Sequence, residues 1–188
     1  LPALTKDLPF TDVTSTDWFY NDVKYAYETG LMTGTASDAF SPEAPVTRGM
    51  VMTILYRMAN SPAVEGTAPF TDVAEGRYFA DAVVWAYQNG IAKGMTATAF
   101  APNAPVTREQ MVTMLFRYVQ SQDGDNGLRD DLAAFEDRDK VSNFAKAPME
   151  WAVANRVVNG MTATTLAPKG QATRAQTATV LYRTLANL

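Results

Sequence analysis

The sequence repeats itself three times, and no other feature restricts its fold as strongly. Phe10-Thr11-Asp12-Val13 recurs as Phe70-Thr71-Asp72-Val73 and again, altered, as Phe135-Glu136-Asp137-Arg138. Thr47-Arg48, Thr107-Arg108 and Thr173-Arg174 follow in the same order, as do Tyr25, Trp85 and Trp151, and the glycines Gly34, Gly94 and Gly160. The copies divide the chain into 1–66, 67–131 and 132–188, with linkers rich in glycine, proline and acid at 60–69 and 121–131. A unit of roughly 55 residues built from two helices buries too little apolar surface to stand alone. The copies must therefore stack, or close into a ring. No copy has the polar face of a terminal cap, which favours the ring. The expected fold is all-α: three helix-loop-helix repeats closed around a pseudo-threefold axis, with the second helices as a central three-helix bundle.

Within each copy the apolar spacing predicts a first helix over Phe19–Thr29, Phe79–Asn89 and Ala145–Asn155. Gly30 and Gly90 stand where a left-handed C-terminal residue is expected, whereas in the third copy Asn155 or Arg156 takes that strain or the helix ends differently. The second helix starts at Thr-Arg. Threonine is a good N-cap, and Thr107 with Gln110, and Thr173 with Gln176, have capping-box spacing; Met50 denies Thr47 the reciprocal bond. Val46 and Val106 precede their caps as hydrophobic staples would. Val51, Ile54, Leu55 and Met58, then Met111, Met114, Leu115 and Tyr118, make the buried stripe.

Composition removes several function classes. The 188 residues include neither cysteine nor histidine, which excludes disulfides, thiolate and imidazole metal sites, and nucleophile systems that need histidine. No metal and no cofactor is expected. Asp123-Gly124-Asp125-Asn126-Gly127 resembles a calcium loop, but its fifth position is glycine and its twelfth is Ala134, so it reads as an acidic linker. A net charge of −4 argues against nucleic acid. No apolar run approaches the ~20 residues that span a bilayer, so no membrane insertion is expected. Leu1 to Leu8 lack the pattern of a signal peptide, and Leu1 is not a start methionine, so the chain reads as a soluble segment of a longer, exported one.

Three sets of residues carry chemistry. Arg48, Arg108 and Arg174 occupy a helix start, where free N–H groups and the helix dipole favour an anion. Each arginine either grips a ligand carboxylate or bonds to Asp12, Asp72 or Asp137 of the protein itself. Those aspartates in turn either support structure or touch a sugar. Trp18, Tyr78 and Phe144 align, and serve either as core or as platforms for a pyranose face. Gly34, Gly94 and Gly160 admit a close approach by a helix or a ligand. Arg57, Arg117 and Arg183, nine residues beyond the first arginines, read as cations at helix C-termini. Trp85 and Trp151 read as core. The third copy is net +3 while the first two are −4 and −3, so a polyanion should prefer grooves that include it.

Phe-Thr-Asp-Val, then Asp17-Trp18-Phe19-Tyr20, then a glycine-bounded loop ending in Phe40-Ser41-Pro42, then Val-Thr-Arg: this order resembles the S-layer homology (SLH) domain, in three tandem copies over nearly the whole chain. The departures are the Phe-Glu-Asp-Arg start of the third copy, loops that lack the family's second glycine, and Met50, Gln110 and Gln176 where the family has glutamate. The resemblance implies a monomeric pseudo-trimer that anchors an extracellular protein to the bacterial cell wall or S-layer. It implies a secondary cell wall polysaccharide as partner, bound in inter-repeat grooves through a pyruvylated N-acetylmannosamine. The ligand residues it favours are Arg48, Arg108, Arg174, Gly34, Gly94, Gly160, Asp12, Asp72, Asp137, Trp18 and Tyr78. The alternative is a protein-interaction scaffold within a surface layer. A glycosidase would need one unique pair of carboxylates, which a threefold repeat does not supply; no enzymatic activity is expected.

Overall fold

The computed structural model describes residues 4, 5, 7–125 and 127–187. The expectations attached to Leu1, to the chain start and to Asn126 of the acidic linker lie outside the described residues. The regular elements among them are helices: α1 (Tyr20–Glu28), α2 (Arg48–Met58), α3 (Ala80–Gln88), α4 (Arg108–Ser121), α5 (Lys146–Ala154) and α6 (Arg174–Asn187), with two single 3-10 turns before α5. The fold is all-α. The first helix of each copy lies within one residue of its expected bounds. Gly30 and Gly90 terminate α1 and α3 at φ 73° and 69°, and Arg156 takes the same left-handed backbone, at φ 56°, in the third copy. Without glycine that turn costs about 1–2 kcal/mol. The second helices begin as their spacing predicts. Thr47 Oγ1 accepts from Met50 N at 3.3 Å, and both Thr107–Gln110 and Thr173–Gln176 form reciprocal boxes.

The two helices of one copy do not pack on each other. Instead α3 packs on α2, α5 on α4, and α1 on α6, so every first helix lies against the second helix of a neighbouring copy. The faces of α2, α4 and α6 meet at Val51, Leu55, Met111, Leu115, Val180 and Leu181, around an apolar void of about 10 Å³. Its lining is almost wholly apolar and offers a water no set of partners.

The segments that lead into α2, α4 and α6 join in a cycle of backbone hydrogen bonds. Val46 N donates to Ala172 O at 2.9 Å, Ala172 N to Val106 O at 3.0 Å, and Val106 N to Val46 O at 3.0 Å. The first two N–H groups of each second helix, normally orphans, donate to the neighbouring copy: Arg48 N to Ala104 O, Gly49 N to Pro102 O, Arg108 N to Gly170 O, Glu109 N to Pro168 O, Arg174 N to Ala44 O and Ala175 N to Pro42 O. One position in this ring differs between copies. A Cβ on Gly49 would lie 2.9 Å from the Phe79 ring, so the first copy needs glycine there. Where Ala145 replaces that phenylalanine, Glu109 stands instead, buried, accepting from Ser142 N and Oγ at 2.9 Å and from Lys169 Nζ at 2.6 Å.

Candidate functional site

Arg48, Arg108 and Arg174 begin α2, α4 and α6 and are only 5–6% exposed. Each guanidinium reaches into the next copy. Arg48 Nε donates to Phe100 O at 2.7 Å and Nη2 to Lys93 O at 2.8 Å. Arg174 Nε donates to Phe40 O at 2.7 Å and Nη2 to Thr33 O at 2.5 Å. Arg108 Nε donates to Leu166 O at 2.9 Å and Nη1 to Gln176 Oε1 at 3.1 Å. Burial lowers all three pKa values, opposed by the charges of Asp72, Asp137 and Asp12 respectively. Arg48 and Arg174 also lie 4.5 Å over the rings of Phe100 and Phe40.

The aspartates hold the same residues from the other side. Asp12 accepts from Phe40 N and Ser41 N, both at 2.8 Å; Asp72 from Phe100 N and Ala101 N at 2.8 and 2.7 Å; Asp137 from Leu166 N and Ala167 N at 2.8 Å. Partial burial pushes these carboxyls up, but the paired N–H bonds outweigh it and leave them below the ordinary aspartate value; Arg174 and Arg48 add to this for Asp12 and Asp72, and Lys140 for Asp137. Aspartate thus grips the N–H, and arginine from the adjacent copy the carbonyl, of one residue. The following residues, Ser41, Ala101 and Ala167, are left-handed at φ 57°, 58° and 49°. The expectation of free donors at each helix start, or of a direct arginine–aspartate bond, is therefore corrected. The helix donors are spent on the ring, and the ion pairing runs through a peptide unit.

Gly34, Gly94 and Gly160 lie against their own loops. A Cβ on Gly94 would be 2.2 Å from Thr96 O and 2.6 Å from the Phe70 ring; on Gly34, 2.4 Å from Ala36 O; on Gly160, 2.5 Å from Thr162 O. The close approach that requires glycine is to backbone and to the Phe10, Phe70 and Phe135 rings. Gly94→Ala is expected to cost about 2–4 kcal/mol, since backbone cannot yield as a side chain does. Thermal unfolding of G94A measures it, and an unchanged midpoint would refute the close contact.

Three open grooves nevertheless gather the expected residues. The first, about 470 Å³, is lined by Gly34, Thr53 and Arg57 of the first copy, Tyr78 of the second and Arg174 of the third. The second, about 250 Å³, is lined by Gly94, Gln110, Thr113 and Arg117, with Phe144 and Arg48. The third, about 380 Å³, is lined by Gly160, Gln176, Thr179 and Arg183, with Trp18 and Arg108. Every groove draws on all three copies, so the basic third copy favours none of them. Trp18, Tyr78 and Phe144 are 64%, 60% and 51% exposed, which rules out the core reading. Trp18 and Tyr78 rest edge-on against Phe19 and Phe79, with centroids 5.1 and 5.0 Å apart. Trp85 and Trp151 are core, as expected.

Asp12, Asp72 and Asp137 do not line these grooves. Sequence reasoning assigned Arg57, Arg117 and Arg183 to helix-end electrostatics: Arg57 does lie in the last turn of α2, Arg117 and Arg183 lie short of the last turns of α4 and α6, and all three also line the grooves. The signal was present: position, position+3 and position+7 recur as Met50-Thr53-Arg57, Gln110-Thr113-Arg117 and Gln176-Thr179-Arg183, one face of each second helix beside its apolar stripe. Arg57 donates to Leu31 O at 3.2 Å. Among the described residues no group of three acidic side chains could hold a metal ion, and no helix is long and apolar enough to cross a membrane.

Comparison with known proteins places this geometry. The pattern of the S-layer homology domain matches three segments, residues 9–49, 69–112 and 134–178. An endoglucanase from Bacillus sp. (strain KSM-635) is 33% identical over 173 residues, 92% of this chain and 18% of that protein. The surface-layer 125 kDa protein of Lysinibacillus sphaericus is 33% identical over 169 residues, 88% of this chain and 14% of that protein. A cell surface protein of Thermoanaerobacter kivui is 26% identical over 122 residues, 62% of this chain and 16% of that protein. The chain spans less than a fifth of the length of these curated relatives.

Proposed function

The chain belongs to the S-layer homology family, a non-catalytic module that binds cell-wall polymers and anchors extracellular proteins to the wall; on that basis we propose that its grooves take a secondary cell wall polysaccharide by an acidic end, a pyruvylated N-acetylmannosamine. The carrying observation is the convergence, three times over, of an exposed aromatic ring with two arginines from different copies. A flat ring covers the apolar face of a pyranose. The outer arginine, Arg57, Arg117 or Arg183, presents a fork suited to a carboxylate. The inner arginine adds charge from a buried position without moving. Threonine on the same helix face, with Gln110 and Gln176 in the second and third grooves, supplies groups for hydroxyls and the acetamide. The cyclic hydrogen bonds between copies support a pseudo-threefold monomer with one groove per interface, in which 1–66, 67–131 and 132–188 act as one unit. Several grooves on one rigid body slow release from a surface dense in chain ends.

Calorimetric titration with N-acetylmannosamine, with and without the pyruvate ketal, tests this. The ketal should strengthen binding by about tenfold or more, the worth of one charge-assisted contact. Equal affinity for the two sugars would rule out an acidic end as the determinant.

A further inference from the structure

Behind the lining of the third groove, bonded to one of its residues, stands a carboxylate that has no counterpart at the other two. With Trp18, Tyr78 and Phe144 in register, Asp22 corresponds to Ala82 and Pro148. Asp22 lies in the first turn of α1, which packs on α6. Its carboxylate accepts from Thr179 Oγ1 at 2.5 Å, and Thr179 lines the third groove. The equivalent threonines bond differently: Thr53 donates to Gly49 O at 2.9 Å and Thr113 to Glu109 O at 2.7 Å, each within its own helix. Asp22 has therefore drawn the groove threonine away from the helix backbone. It also lies within electrostatic reach of Arg183, the outer arginine of that groove. Burial outweighs the Thr179 bond and the charge of Arg183, and leaves the Asp22 carboxyl above the ordinary aspartate value.

Resting on the wall-saccharide reading above, we infer that Asp22 makes the third groove the one that disfavours the carboxylated end and accepts an uncharged sugar unit of the same polymer. In the first and second grooves an incoming carboxylate meets Arg57 or Arg117 with no acid at the Asp22 position. In the third it meets Arg183 already within the field of the Asp22 carboxylate, and like charges repel. The third groove also holds the largest of the three rings, Trp18, which offers an uncharged pyranose face the widest apolar cover.

Trp18 makes this groove separately readable. The other two tryptophans, Trp85 and Trp151, are 7% and 0% exposed, so a ligand-induced change in tryptophan emission reports Trp18. The chain is titrated with N-acetylmannosamine, plain and pyruvylated, by calorimetry and emission together. For the wild type, calorimetry should count two pyruvylated molecules, with Trp18 responding only at about tenfold higher concentration. Plain sugar should move Trp18 at a lower concentration than the pyruvylated sugar does. In Asp22→Asn the response to pyruvylated sugar should shift about tenfold lower and the count rise to three. Asp22→Ala, which reproduces the residue at 82, should behave alike if the asparagine variant folds poorly. The inference is overturned if wild-type Trp18 titrates together with the calorimetric sites, or if neither variant shifts its response. Binding of both sugars with equal affinity in the first two grooves would sink the acidic-end reading instead, and no binding at all would sink both.

Discussion

Alanine at Arg48, Arg108 and Arg174 together is expected to unfold the protein, not merely to release it from cell walls. Each side chain is buried and bridges two copies through bonds to backbone carbonyls or, for Arg108, to Leu166 O and Gln176. Removal leaves Phe40 O, Phe100 O and Leu166 O without these partners and opens a cavity beneath the loop. An abandoned buried acceptor costs about 1–3 kcal/mol, and the cavity adds to it, for about 3–4 kcal/mol per site. The three sites lie at different interfaces and share no partner, so their costs add. The sum, about 9–12 kcal/mol, rivals the whole stability of a typical domain. Far-UV circular dichroism should show lost helicity at room temperature. A triple variant that keeps its helices and melting midpoint but no longer pellets with walls would return these arginines to the role of direct ligand contacts.

Trp18→Ala, Tyr78→Ala and Phe144→Ala combined should do the reverse: leave the fold standing and abolish wall attachment. All three rings are more than half exposed, and surface changes of this kind usually stay within about 0.5 kcal/mol each. Each groove loses its stacking surface, about 1–1.5 kcal/mol, or roughly tenfold in affinity. Because the grooves act together on a dense surface, the losses compound, and retention on purified walls should fall by about 10² or more. Co-sedimentation measures retention and the melting midpoint measures the fold. Unchanged retention would leave the exposed rings without a role and the groove reading without its platform.

The contrast between these variants shows how far the residues reveal their roles. Thr-Arg at each helix start was legible because a cap and a capping box are local: Thr107 and Gln110 need only each other. A strained residue after the third copy's first helix was legible from one missing glycine, though the sequence left Asn155, Arg156 and a different helix end open; the structure places it at Arg156. The same locality misled at the helix start itself. An isolated helix has orphan donors there, whereas here Ala104, Gly170 and Ala44 supply acceptors from other copies. Aspartate and arginine lie close in charge, as expected, yet they meet across Phe40, Phe100 and Leu166, because a carboxylate satisfies N–H groups and a guanidinium satisfies carbonyls.

By itself the sequence determined the three copies, the all-α character, the helix bounds and caps, the family likeness and the aligned aromatic positions. These follow from spacing, capping and turn chemistry, which act over a few residues. Only the tertiary structure decided that helices pair across copies, that Arg48, Arg108 and Arg174 are interior clamps, and that Arg57, Arg117 and Arg183 face the grooves. It also gave Asp22 its bond to Thr179, within electrostatic reach of Arg183. Those outcomes depend on which carbonyl, ring or charge arrives from tens of residues away, and no periodicity within a copy records that arrival.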